Sequence, residues 1–189
     1  MDEAAVVAAM REWIEKAVIG LNLCPFAKAV YVKNQVRFVV SRAPHLDGFL
    51  EDLDRELDFL AAADPREIDT TLLIHPTLLP DFLDFNDFLQ LAEAAVGEHG
   101  LAGVIQIASF HPRFQFEGTD PDDLGNFTNR APFPTLHLLR EASIERAVAA
   151  FPQAETIYAA NIETMARLGP AGWQALWDPS APPTEDDGK

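Results

Sequence analysis

Three short apolar runs, each separated from the next by a stretch of helical periodicity, set the main constraint on how this chain can fold. Val36–Ser41, Thr71–Ile74 and Val104–Phe110 are rich in β-branched and aromatic residues and read as strands. Between the first two, Leu46, Phe49, Leu50, Leu53, Leu57 and Leu60 recur at helical spacing until Asp64-Pro65 stops them. Between the second and third, Asp81 stands where a helix cap belongs, and Phe85, Phe88, Leu89, Ala92 and Val96 form the inward stripe. Helices of that length between consecutive strands imply right-handed parallel crossovers. The expected fold is therefore α/β: a single domain with a small, mostly parallel sheet flanked by helices. A ferredoxin-like α+β arrangement is the alternative.

The remaining segments fill in around that middle. Val6, Met10, Trp13, Ile14, Ala17 and Leu21 predict an opening amphipathic helix, ended by Gly20 in a left-handed conformation, with Pro25 in the first turn of a short helix after it. Ala29–Val32 reads as an antiparallel edge strand, paired to the first strand through a turn at Asn34-Gln35. Helices are expected around Leu136–Glu141, from Ser143 to Phe151, and from about Gln153 to Leu168. Gly169-Pro170 ends the last, and Trp173 and Trp177 dock a terminal turn. Residues 1–177 form the globular unit, and 178–189 read as an acidic, proline-rich disordered tail.

Charge narrows the choice of partners. The 189 residues include 14 Lys and Arg against 30 Asp and Glu, a net charge of −16. Such a field repels phosphate backbones and anionic lipid, which argues against nucleic acid and membrane partners. No apolar run approaches the roughly 18–20 residues needed to span a bilayer. With one cysteine and an N-terminus unlike a secretory signal, the expected location is cytoplasmic.

The ends of the three strands share a chemistry. Each runs toward a histidine beside or near a proline: Pro44-His45, His75-Pro76 and His111-Pro112. Parallel strands would place this histidine cluster on one edge of the sheet, the edge where open α/β folds put their sites. His75 and His111 follow directly from apolar strands and are the candidates for acid/base roles or for holding a divalent metal. His45 stands four residues past its strand, in position to begin the next helix. The plainer alternative is that each imidazole bonds a backbone carbonyl and terminates its strand. No His-x-x-x-His or Cys-x-x-Cys pair fixes a metal geometry, so metal binding stays open.

Arg42 and Arg113 follow two of the same strands, and Arg130 lies in the long aperiodic stretch from His111 to Pro134. Convergent guanidinium groups suit a carboxylate or phosphate; otherwise they pair with acids such as Asp120, Asp122 or Asp123. In that stretch Asn126 and Asn129 offer the fixed donors and acceptors that orient a ligand, and His137 with Arg140 would share a face of the helix that follows. An aperiodic segment of this length inside a domain is commonly functional, and its four phenylalanines predict that it packs. Cys24, next to Pro25, is a candidate nucleophile at a helix start with His111 or His137 as base; the alternative is a buried wall residue. No Gly-x-Gly-x-x-Gly, phosphate-binding loop or Gly-x-Ser-x-Gly elbow is present.

Gly20-Leu21-Asn22-Leu23-Cys24-Pro25-Phe26, Leu73-Ile74-His75-Pro76, Ser109-Phe110-His111-Pro112 and Asn129-Arg130-Ala131-Pro132 together resemble a bacterial family, domain of unknown function 1415. The resemblance runs from the first helix to about Trp177. It implies that these motifs belong to one pattern, and it carries no activity with it. Two functions remain for this sequence. One is an enzyme for a small anionic metabolite, with His75 and His111 as acid/base groups or ligands, Arg42, Arg113 and Arg130 holding the anion, and Cys24 as nucleophile. The other is a non-catalytic small-ligand or metal-binding protein using the same edge.

Overall fold

The strands assemble into one four-stranded sheet: β1 (Val36–Val40), β2 (Thr70–Ile74), β3 (Ile105–Phe110) and β4 (Thr135–Arg140), in the order β1-β2-β4-β3. The structure is a computed structural model that describes residues 1–151, 153 and 156–177; the expected tail at 178–189 lies outside the described residues. β1 and β2 pair in parallel through the predicted helix α3 (Leu46–Ala62). β2 leads through α4 (Phe82–Glu98) to β3, but β4 lies between them, antiparallel to both. The sheet is thus mixed and not mostly parallel, and its β-α-β-α-β-β sequence is not the ferredoxin-like alternative. Two antiparallel pairings restore direction, so β1, β2 and β3 all run the same way and end on one edge.

β4 corrects the helix expected around Leu136–Glu141. Leu136 and Leu138 are fully buried against α3 and α4, while His137 faces the opposite side of the sheet. A central strand covered on both faces loses the polar/apolar alternation that marks a strand, and three leucines in five residues then read as helical. The hairpin expected at Ala29–Val32 is also absent: that segment is a short helix, α2 (Ala27–Val32). Asn34 (φ 56°) turns the chain from α2 into β1, so the left-handed residue anticipated there reverses a helix rather than a hairpin.

The sheet divides the core in two. On one face α3 and α4 bury Phe49, Leu53, Leu57, Phe85, Phe88 and Ala92 against Leu73, Ile105, Leu136 and Leu138. On the other face α1 (Glu3–Trp13) packs Val6, Met10 and Trp13 against Leu72 and Ile74. This helix caps at Gly20 as expected, but not through a left-handed turn. It widens to i→i−5 hydrogen bonding over Ile14–Ile19, and Gly20 itself is right-handed (φ −62°), donating to Glu15 O at 3.0 Å. A Cβ there would lie 2.4 Å from Lys16 O, so glycine is required for close approach; the left-handed residue is Asn22 (φ 53°). Pro25 precedes α2 instead of sitting in its first turn.

After β4 come α5 (Glu141–Ala150) and α6 (Ile157–Ala175). Gly169 (φ 65°, ψ 175°) leaves helical geometry, so the first stretch of α6 ends there as expected, and a second helical stretch starts at Pro170. The restarted turn carries Trp173 over the α1 side of the sheet, with Trp177 just past its end. Among the described residues, no helix is long and apolar enough to cross a membrane.

Candidate functional site

His75 and His111 end their strands in the same way. His75 Nε2 donates to Ala43 O at 2.9 Å, and its Nδ1 accepts the Leu78 N–H at 2.9 Å. His111 Nε2 donates to Leu79 O at 3.0 Å, and its Nδ1 accepts the Arg113 N–H at 3.0 Å. Both imidazoles are buried, both are held in the Nε2–H tautomer, and burial lowers both pKa values. With both ring nitrogens committed to backbone partners, neither has an edge left for a substrate or a metal in this geometry. Their work is local: His75 braces the loop after β2, and His111 secures Leu79, a buried residue held at φ 55°. A positive φ at a leucine is strained, and the His111 bond to its carbonyl helps to hold it.

The other expected residues scatter. His45 caps α3, its Nδ1 accepting the Gly48 N–H at 3.3 Å. Arg42 is exposed and pairs with Glu3 at 3.0 Å; Arg113 pairs with Asp81 at 3.1 Å and donates to Pro80 O. The two arginines have acidic partners, though not the acids of the 120–123 turn, and they do not converge. Cys24 is half-buried, and burial raises its thiol pKa despite hydrogen bonds from the Phe26 and Ala27 backbone, the reverse of what a nucleophilic thiolate needs. His137 and Arg140 lie on opposite faces of β4, as the strand period demands. His137 Nε2 lies 2.8 Å from Thr70 Oγ1, whose proton goes to Leu138 O, so the imidazole is the donor; burial pushes its pKa down to about 4. Arg140 turns instead to the end of α3, donating to Leu60 O and Ala63 O at 2.6 and 2.8 Å.

The 111–134 segment packs around Asn126. Its side chain is fully buried: Oδ1 accepts from Phe116 N and Thr119 Oγ1 at 2.9 and 3.0 Å, and Nδ2 donates to Asp120 O at 2.8 Å. Asn129 Nδ2 reaches Ser109 O at 3.4 Å, and a 3₁₀ turn covers Leu124–Asn129. These asparagines thus shape the loop, and carbonyls of the same loop hold Arg130. Its Nε donates to Phe114 O at 3.3 Å, one Nη2 proton goes to Pro121 O at 2.6 Å, and its guanidinium lies 4.1 Å from the Phe127 ring centroid. Nη1 has no hydrogen-bond partner among the described residues.

Arg130 borders a cleft of about 350 Å³ at the edge where β1, β2 and β3 end. Trp13, Phe127, Trp173 and Trp177 supply its aromatic walls, and Pro112, Ala131 and Pro132 supply the rest. The rings brace one another edge-to-face: Trp13 against Phe110 at 5.0 Å, Phe127 against Trp173 at 5.3 Å, Trp173 against Trp177 at 5.5 Å. All three tryptophans of the protein therefore meet in one place. Their sequence positions carry no hint of this, because Trp13 reads as an ordinary helix-stripe residue and Trp173 as a terminal dock. Only the kink at Gly169 brings them together. A cation stacked on Phe127 beside the partly exposed Trp173 and Trp177, with the buried Trp13 behind them, can receive a flat apolar body and an anionic group at once. Among the described residues no group of three or more His, Cys, Asp or Glu side chains is placed to hold a metal ion.

These features define a three-layer α/β protein with an aromatic, arginine-bordered cleft at one sheet edge. The chain belongs to the family described as Protein of unknown function (DUF1415), whose model matches residues 5–175. No curated protein and no solved structure matches it.

Proposed function

We propose that this protein binds a small molecule with a flat apolar body and an anionic group, in the cleft formed by Trp13, Phe127, Trp173, Trp177 and Arg130. One observation supports this above the others: the guanidinium that the long loop fixes in place borders the cleft that all three tryptophans line. In a chain of net charge −16, an arginine without a carboxylate contact is suited to an incoming anion, and its planar fork matches a carboxylate. Binding, rather than acid/base or thiolate catalysis, is the reading favoured by His75 and His111, whose nitrogens are committed to backbone, and by the raised pKa of Cys24.

Tryptophan emission tests it, because every tryptophan lines the cleft. Titration with 2-naphthoate is expected to perturb the emission saturably, and its neutral amide is expected to bind more weakly. Arg130→Gln should weaken 2-naphthoate about tenfold or more, the scale of one charge-assisted hydrogen bond. Equal binding of acid and amide, or an unchanged affinity in the variant, would exclude Arg130 as the anion site. No saturable change at millimolar ligand would remove the proposal.

A further inference from the structure

The two edges of the sheet are treated differently. Along β3 the outward backbone groups belong to odd-numbered residues, since Val104 O accepts from Glu141 of the β4 side. That edge is closed at both ends: Ile105 N donates to Leu101 O at 3.0 Å, His111 N to Asn129 O at 3.2 Å, and Asn129 Nδ2 covers Ser109 O. Along β1 the parity runs the other way. Ser41 N donates to Ile74 O at 2.8 Å, and Gln35 O accepts from Asp69 N at 2.9 Å, so odd residues face β2. Val36, Phe38 and Val40 therefore turn both N–H and C=O outward, and none of these groups has a hydrogen-bond partner among the described residues.

We propose that β1 pairs with β1 of a second copy of this chain, antiparallel and centred on Phe38, to join two sheets into one. The free groups are self-complementary under a two-fold axis: Phe38 meets Phe38, and Val36 meets Val40 on either side. The side chains agree. Val36-Arg37-Phe38-Val39-Val40 has no acid, proline or lysine, the residues that normally blunt an edge, in a protein otherwise crowded with carboxylates. Its one charge, Arg37, would lie opposite Val39 of the second copy and is already neutralised by a two-pronged bond to Glu56 at 2.8 and 3.0 Å. Apolar surface flanks the edge as well: Arg37 stacks at 4.1 Å on Phe59, which is 40 % exposed, and Val32 at the end of α2 is 69 % exposed. On the other face Arg11 stacks at 4.5 Å on the Phe38 ring, so among the described residues no unpaired carboxylate lies over the axis on either side. The cleft at the sheet edge takes no part in this interface, so the two proposals stand or fall separately.

Sedimentation velocity on the full chain across a concentration series is expected to show a reversible species of twice the 20.8 kDa chain mass. Val36→Pro removes an outward N–H at the first residue of an edge strand, where proline is tolerated, and by symmetry deletes two hydrogen bonds across the interface. It should weaken the dimer about ten- to a hundredfold. Phe59→Glu, outside the sheet, should weaken it independently, so a folding defect in one variant does not decide the matter. Amide exchange supplies the site-specific check: Phe38 and Val40 amides should gain protection as concentration rises, whereas the inward Val39 amide stays protected throughout. A chain monomeric at about 100 μM would overturn the proposal. So would Phe38 protection independent of concentration, which would assign the edge to a segment of the same chain. A monomer that binds only an added extended peptide would replace the second copy with a foreign strand.

Discussion

Buried histidines are costly to charge, and three in this protein are held as neutral Nε2–H tautomers: His75 and His111 by backbone donors on Nδ1, and His137 by its bond to Thr70 Oγ1. Burial lowers the pKa of each, to about 4 for His137. The unfolded chain titrates near the ordinary value of about 6.5 and so takes up these protons first. Stability is then intact above that value and drains as pH falls toward the folded values. His99 works in the opposite sense. Hydrogen bonds to Asp58 and Asp54 raise its pKa, so its contribution is present at low pH and is lost as pH rises through its folded value. Three depressed groups outweigh one raised and more accessible group. The urea midpoint is therefore expected to fall between pH 6.5 and about 4, and His137→Gln should flatten part of that fall. A pH dependence of the same size in the wild type and in His137→Gln would contradict the state assigned to His137.

At the scale of elements, close approach and two-sided burial explain where the chain departs from what its pattern suggests. Gly20 is the sharpest case. Helix propensity alone favours alanine over glycine by about 1 kcal/mol. Here, however, a Cβ would fall 2.4 Å from Lys16 O, backbone that can move only by displacing the widened turn beneath Trp13 and Ala17. Gly20→Ala is therefore expected to destabilise by about 1–3 kcal/mol in chemical denaturation, as overpacking does. A stabilised variant would show the widened turn to be an ordinary helix end. The same reasoning explains β4, whose leucines serve one face while His137 serves the other, and α6, where Gly169 and Pro170 redirect the helix toward the cleft.

At the scale of the whole molecule, a net charge of −16 repels itself, and among the described residues Glu56 is the one buried carboxylate, paired with Arg37. Salt screens such repulsion over a Debye length of about 10 Å at 0.1 M. Raising NaCl from 10 to about 500 mM should therefore increase the thermal midpoint, whereas a midpoint that fell would point to ion pairs as the dominant charge term. Much of the architecture was legible beforehand. The periodic stripes of α1, α3 and α4, the Asp81 cap and the first three strands follow from local patterning, because period and capping are properties of neighbouring residues. That β2 and β3 run the same way comes from two antiparallel pairings through β4, and not from the mostly parallel sheet expected. What patterning could not reach was the role of His75 and His111, because both ring nitrogens bond backbone atoms whose positions depend on loops closing over them. Nor could it place the cleft, since Trp13 and Trp173 share no local relation. Local chemistry along the chain determined the helices α1, α3 and α4 and the first three strands. Only tertiary structure decided where β4 inserts, what the strand-end imidazoles hold, and that three distant tryptophans meet one arginine, because each depends on contacts between residues that are remote in sequence.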